Sequence, residues 1–194
     1  MSEQPNRRVV IVGVPGVGKT TVVNRTVEKL VERKMDPKVV NYGTVMMEEA
    51  TKAYKVKSRD EMRKLSIDKQ RKLQVHAAEQ ISGLRERVVI IDTHLFIATR
   101  EGFWPGMPLD VLKALRPTHL VLVLASPDEI MSRRERDSTR VRDRSTKESV
   151  SLELDAARSL LFASTLVSGC PGLIVANPEN SINQAAEQIL NAVI

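Results

Sequence analysis

The chain has 194 residues, 42% hydrophobic and 28% charged, which suits one domain with a sizeable core and excludes a disordered polymer. The net charge is +6 and aromatics make up only 3%, so anionic ligands fit, while the base-stacking rings that RNA readers use are scarce. The single cysteine, Cys170, excludes an intramolecular disulfide and a multi-cysteine metal site, and no apolar run approaches the roughly eighteen residues of a membrane span.

The opening MSEQPNRR is polar and lacks the apolar stretch of a secretory signal, so a cytoplasmic protein is expected. Val9 to Val12 then reads as a strand, followed by GVPGVGKT (Gly13 to Thr20) and a helix with Val23, Val27, Leu30 and Val31 at helical spacing. A second strand is marked by Val39 and Val40. From Arg59 to Lys72 the pattern is helical but heavily charged, with Ser58 and Glu61 as a capping pair and Met62, Leu65 and Leu73 as a thin apolar seam. Val88 to Ile91 forms the third strand and ends on Asp92, Thr93 and His94. Leu120 to Leu124 forms the fourth. Ser126 and Glu129 cap the next helix, with Pro127 at its first position.

RRERDSTRVRDR (Arg133 to Arg144) follows, with six arginines against three acids in twelve residues. A solvated surface, a nucleic-acid patch and a clamp for small phosphates would each account for it. Arg134 and Arg144 are candidates for solvation or for pairing with Glu135 or Asp143. Ser145 and Glu148 form a capping pair for a helix carrying Val150, Leu154, Ala157 and Leu161 on one face. Leu173 to Ala176 is the fifth strand, and the last helix carries Ile182, Ala185, Ala186, Ile189, Leu190 and Val193. The apolar runs do not alternate with polar residues, as in strands covered on both faces, and they alternate with helices. The pattern predicts a three-layer α/β fold with a mostly parallel five-stranded sheet.

GVPGVGKT satisfies G-x-x-x-x-G-K-[ST] between a strand and a helix. Glycines let successive backbone N–H groups converge on one anion, and the helix N-terminus adds a favourable dipole. Lys19 then reaches the β- and γ-phosphates and the Thr20 hydroxyl offers a Mg²⁺ ligand. The dinucleotide pattern G-x-G-x-x-G is not met by Gly13, Gly16 and Gly18. With this loop present, Asp92 at a strand end reads as a carboxylate near the Mg²⁺ shell rather than a turn cap. His94 either meets substrate or fills the turn, while His76 and His119 read as structural. N-K-x-D and D-x-x-G are missing, which argues against a GTP switch and leaves a small phosphotransferase or a small ATPase. Transfer to an acceptor phosphate needs charge neutralisation and exclusion of water, which arginine forks on a closing flap provide.

The blocks GVPGVGKT, NYGTVM (Asn41 to Met46), RDEMRKLS (Arg59 to Ser66), IDTH (Ile91 to His94), GFWPGMP (Gly102 to Pro108) and R-x-x-R-D-x-T-R-x-R (Arg133 to Arg142) resemble, in this order, the archaeal-type adenylate kinases of the P-loop nucleoside monophosphate kinase superfamily. The resemblance implies ATP + AMP ⇌ 2 ADP with Mg²⁺. It implies one domain, with a core over 7–40, 86–132 and 146–194, an acceptor lobe over about 41–85 and a lid over about 133–145. Carried over by position, Gly13, Val14, Pro15, Gly16, Val17, Gly18, Lys19, Thr20, Thr21 and Arg133 lie on ATP, with Asn177 and Pro178 near its adenine. Gly43, Thr44, Arg63, Asp92 and His94 lie on the AMP side, with Asp92 also reaching the Mg²⁺ through water. Arg136, Arg140 and Arg142 join Lys19 as catalytic groups, and Arg158 faces the moving phosphoryl group. Such kinases also imply a homotrimer.

Thr44 stands where many relatives carry an acid and Ala98 where a basic residue is expected, with Arg100 nearby. These departures keep a kinase of another nucleoside monophosphate or a small metabolite open. A P-loop ATPase acting with RNA or a ribosomal partner is the other alternative, supported by the net charge and by the charged Arg59 to Lys72 segment.

Overall fold

The computed structural model describes residues 6–99, 102–136 and 146–194. Five strands, β1 (Arg7–Val12), β2 (Pro37–Asn41), β3 (Val88–Asp92), β6 (His119–Leu124) and β7 (Gly172–Ala176), form one sheet in the order β2-β3-β1-β6-β7. Every pairing in it is parallel. In the three central strands Val9 to Val12, Val88 to Ile91 and Leu120 to Val123 are at most 1% exposed, as uninterrupted apolar runs require. The two edge strands depart from that expectation. Val39 in β2 and Ile174 in β7 are exposed, because an edge strand lacks a neighbour and is only partly covered.

Helices α1 (Lys19–Glu32) and α8 (Ile182–Val193) pack on one another, and α4 (Ile67–Ser82), α5 (Leu109–Leu115) and α7 (Lys147–Ser168) form a second packed group. The stripes on α7 and α8 are buried as spaced, apart from half-buried Ile182. On α1 the buried face is Val22, Val23, Thr26 and Leu30, and Val31 faces water. The Thr26 hydroxyl donates to the Val22 carbonyl, so a polar residue enters the core without an orphan donor.

Between β2 and β3 the chain builds a lobe from α2 (Tyr42–Tyr54), α3 (Arg59–Arg63) and α4. The charged stretch is two helices, broken at Lys64 to Ser66. Its thin seam is a real core: Leu73 is buried with Ala50 and Val56, and Met46, Met47, Tyr54, Met62 and Leu65 pack around them. Further along α4, Ala77, Ala78 and Ile81 join the main core and root the lobe on the sheet.

Side-chain caps fix several helix entries. Ser58 accepts from the Glu61 N–H at 3.2 Å. Ser126 and Glu129 form the reciprocal pair at the start of α6 (Pro127–Arg136), with N–H bonds of 2.9 and 3.3 Å. At α7 the cap sits one residue beyond the Ser145–Glu148 expectation: Thr146 exchanges bonds with Ser149 at 3.0 and 3.2 Å. A small hairpin, β4 (Phe96–Thr99) with β5 (Gly102–Pro105), has no counterpart in the sequence reading. Among the described residues no helix is long and apolar enough to cross a membrane.

Candidate active site

Because the five strands run parallel, their carboxyl ends lie along one edge of the sheet. That edge collects the loop after β1, Asn41 at the end of β2, Asp92 at the end of β3, Ser126 after β6 and Asn177 after β7. In open α/β sheets this edge is where ligands bind. The register sets the details: Asp92 is level with Ile11 on one side and Asn41 on the other.

The loop leaves β1 at Gly13 and enters α1 at Lys19. Gly16 and Gly18 have φ of 96° and 82°, the left-handed region open to glycine. Gly18 is also sterically confined, since a Cβ there would lie 2.6 Å from Asn177 Nδ2. Val14 and Val17 are buried and anchor the loop in the core, while Pro15, Thr20 and Thr21 are exposed. No side chain caps α1, so its first N–H groups remain available to an anion.

Lys19 forms an ion pair with Asp92, whose second oxygen accepts from Asn41 Nδ2 at 3.1 Å. Burial lowers the Lys19 ammonium to about 8, even with this carboxylate beside it. Asn41 Oδ1 caps α2 by accepting from the Thr44 N–H at 3.1 Å and hydroxyl at 3.2 Å. Arg59 donates to the Thr44 hydroxyl at 3.2 Å. One polar chain thus runs from the loop lysine to an arginine of the lobe.

Sheet edge and lobe enclose a cleft of about 760 Å³. Gly43, Arg63, Asp92 and His94 line it, together with Gly13, Val14 and Pro15. Thr44 contacts Arg59 instead of lining the cleft, and Arg63 is paired with Asp60 at 2.8 Å. Arg59, Gln70, Gln74 and Glu153 also line it and were not singled out in sequence. Arg59 had a signal, a basic residue directly after a capping serine, but nothing local distinguishes it from Arg63.

On the far side of the loop, α6 supplies two arginines. Arg133 donates to the carbonyls of Val17 and Asn177, each at 3.1 Å. Asn177 is buried, and its Nδ2 donates to the same Val17 carbonyl at 2.8 Å. Its Oδ1 is the one buried side-chain polar atom without a partner among the described residues. Pro178 is exposed beside it.

Arg134 corrects the expectation of solvation or pairing with Glu135. It donates to the Pro15 carbonyl at 2.9 Å and to Glu153 of α7 at 2.6 Å. Arg136 is exposed and bonds back to Ser132 within α6. Arg158 is paired with Asp155 at 2.9 Å and does not line the cleft, although its neighbour Ala157 does. Arg100, Arg140, Arg142 and Arg144 lie outside the described residues, as do Ser145 and the side chain of Ala98.

A parallel five-stranded sheet with a glycine loop, loop lysine and strand-end aspartate at its carboxyl edge defines a P-loop protein of the kinase type. The AAA domain family matches residues 12–151. The chain is 37% identical to the adenylate kinase of Methanocaldococcus jannaschii over 189 residues, covering 97% of this chain and 98% of that protein. It is 40% identical to the adenylate kinase of Saccharolobus solfataricus over 191 residues, covering 95% and 98%. Among solved structures, the shikimate kinase of Bacteroides thetaiotaomicron aligns with a TM-score of 0.60 at 15% identity, over 96% of this chain and 97% of that one. The shikimate kinase of Acinetobacter baumannii gives 0.57 at 14%, over 98% and 94%. At such identities these structures speak for the fold alone. The chain belongs to the adenylate kinase family.

Proposed function

We propose that this chain catalyses ATP + AMP ⇌ 2 ADP with Mg²⁺. The observation that carries the reading is the polar chain Lys19–Asp92–Asn41–Thr44–Arg59, which joins a phosphate-binding loop to a basic lobe across one cleft. Two phosphate sites facing each other suit transfer between two nucleotides better than hydrolysis of one.

The donor γ-phosphate lies against the loop N–H groups of Gly13 to Thr21 and Lys19. A phosphate oxygen of AMP forms the new P–O bond as the bond to the β-phosphate bridge breaks. That acceptor oxygen is already anionic, so the protein supplies alignment and charge rather than a base. Lys19 leaves Asp92 to meet the phosphates, which frees the carboxylate. Gly43, Arg59, Arg63, Asp92 and His94 face the AMP side, with Thr44 holding Arg59 in place. Arg133, Asn177 and Pro178 face the donor nucleotide. Arg136, Arg140 and Arg142 close over the phosphates as a lid over about 133–145, and Arg158 approaches only on closure.

Among the described residues no three His, Cys, Asp or Glu side chains gather to hold a metal unaided. Mg²⁺ carried by nucleotide phosphates needs only one or two protein oxygens. The exposed Thr20 hydroxyl and the Asp92 carboxylate are such a hard-oxygen set, and the ion would neutralise phosphate charge there. A homotrimer in the cytoplasm completes the proposal. Leu152, Phe162 and Leu166, exposed on α7 at 65, 59 and 86%, are apolar side chains that a subunit contact would cover.

The test is ADP formation from Mg-ATP alone and with AMP, CMP, GMP or UMP. Rapid ADP only with AMP supports the assignment. Equal ADP from ATP alone replaces it with an ATPase, for which salt-sensitive RNA binding is the next measurement.

A further inference from the structure

We infer that Asn177 is a positioning residue for the phosphoryl donor: its side-chain amide, without touching the nucleotide, aims the Gly18 N–H at the donor phosphates. The inference rests on the adenylate kinase reading for the identity of the donor and adds how the loop after β7 acts on the phosphate loop. Asn177 is 2% exposed, so its amide reaches a ligand only through what it holds. Its Nδ2 donates to the Val17 carbonyl at 2.8 Å, and Arg133 donates to the same oxygen at 3.1 Å. The Val17–Gly18 peptide is trans and planar, so its carbonyl and its N–H point opposite ways. Two donors that draw the Val17 oxygen toward Asn177 therefore turn the Gly18 N–H away from it. Among the described residues that N–H has no partner, which leaves it for an anion.

The direction of the amide follows from chemistry. The Val17 oxygen is an acceptor, so only the NH₂ end of Asn177 can face it. This leaves Oδ1 buried without a partner among the described residues. Turning the amide over would set Oδ1 against the Val17 oxygen and lose the bond. A buried acceptor without a donor costs stability, and an apolar side chain of similar outline avoids that cost. An amide at this position is thus a poor choice for packing and a good one for the loop. Gly18 completes the fit, since a Cβ there would lie 2.6 Å from Asn177 Nδ2. Arg133 shares the Val17 oxygen but stands on α6, which leads into the segment proposed to close. Asn177 is fixed by the sheet instead, its N–H donating to the Leu124 carbonyl at 2.7 Å. It keeps the Val17 peptide in place when Arg133 moves.

The experiment measures KM for ATP and for AMP, and the Kd of inorganic tripolyphosphate by calorimetry, in the intact chain, in Asn177→Leu and in Asn177→Asp. Thermal unfolding confirms that each variant is folded. In Asn177→Leu the KM for ATP and the Kd for tripolyphosphate should rise by the same factor, about tenfold, the worth of one hydrogen bond to a charged group, while the KM for AMP holds. Asn177→Asp keeps the size but sets an acceptor against the Val17 oxygen, and should weaken both at least as much. In the intact chain the Gly18 amide resonance should shift when tripolyphosphate is added, a reading that needs no variant. A rise for ATP without a rise for tripolyphosphate overturns the inference in favour of a contact to the base. Unchanged tripolyphosphate affinity in a folded variant, or a Gly18 resonance that ignores tripolyphosphate, overturns it as well. An equal rise in the KM for AMP marks general damage and also overturns it. Absence of ADP formation from ATP and AMP in the intact chain overturns the kinase reading alone, because tripolyphosphate binding still reports on Asn177.

Discussion

Arg134→Ala tests whether α6 and α7 hold the phosphate loop in shape. The Arg134 side chain is 9% exposed and Glu153 19%, so the pair is largely removed from water. Removing one partner of a buried pair costs about 3–5 kcal/mol, because a carboxylate is left uncompensated. Glu153 borders an open cleft, where water relieves part of that penalty, and the Pro15 carbonyl loses a charge-assisted donor as well. A loss of about 3 kcal/mol follows, equivalent to a fall in Tm of roughly 6–12 °C for a chain of this size. The assay is urea unfolding of Arg134→Ala, Glu153→Ala and the double variant, together with initial rates against each nucleotide. The double variant should lose less than the sum of the singles, with a coupling of about 1–3 kcal/mol. The KM for ATP should rise about tenfold in Arg134→Ala while the KM for AMP stays put, since Pro15 belongs to the donor loop, and Arg134→Lys should recover only part of it. A coupling below about 0.5 kcal/mol, or equal changes in both KM values, refutes the loop-holding role.

Lys19→Ala should lower turnover by about two to four orders of magnitude in a chain that still folds, read from rates and thermal unfolding, since it removes charge stabilisation at the moving phosphoryl group. The Lys19 ammonium itself titrates near 8 when folded, against an ordinary 10.5. Between those values the unfolded chain still holds the proton and the folded chain does not, so this lysine's contribution to stability rises with pH across that window. ATP favours the charged form, so binding at pH 9 should take up a proton and affinity should weaken above pH 8. Calorimetry in buffers of different ionisation enthalpy reads this directly, and no uptake would show that Asp92 keeps the lysine charged. ATP with AMP should protect the segment from Arg133 to Arg144 against trypsin, whereas equal cleavage with and without nucleotides speaks against closure.

Much of this protein is determined by spacing along the chain. The loop glycines, Lys19 and Thr20 sit within eight consecutive residues, and the strand before and helix after them have their own apolar periods. Asp92 is legible because an acid ending an apolar run has one place to go in such a fold. Helix caps are equally local, and the one-residue shift from Ser145 to Thr146 shows their precision. Buried faces were harder to read. Val31 has the right spacing on α1, yet it faces water and Thr26 is buried instead.

Only the tertiary structure decided what the arginines do. Arg133 and Arg134 are adjacent and chemically identical, but one reaches Val17 and Asn177 and the other Pro15 and Glu153. Those partners lie up to 119 residues away, and Asn177 meets Val17 across 160. No local period encodes such pairs; they follow from five parallel strands placing distant turns on one edge. Sequence spacing thus specifies elements and a phosphate loop, because those depend on neighbours a few residues apart. The roles of long polar side chains wait on the fold, because their reach spans several elements and their partners are chosen by geometry.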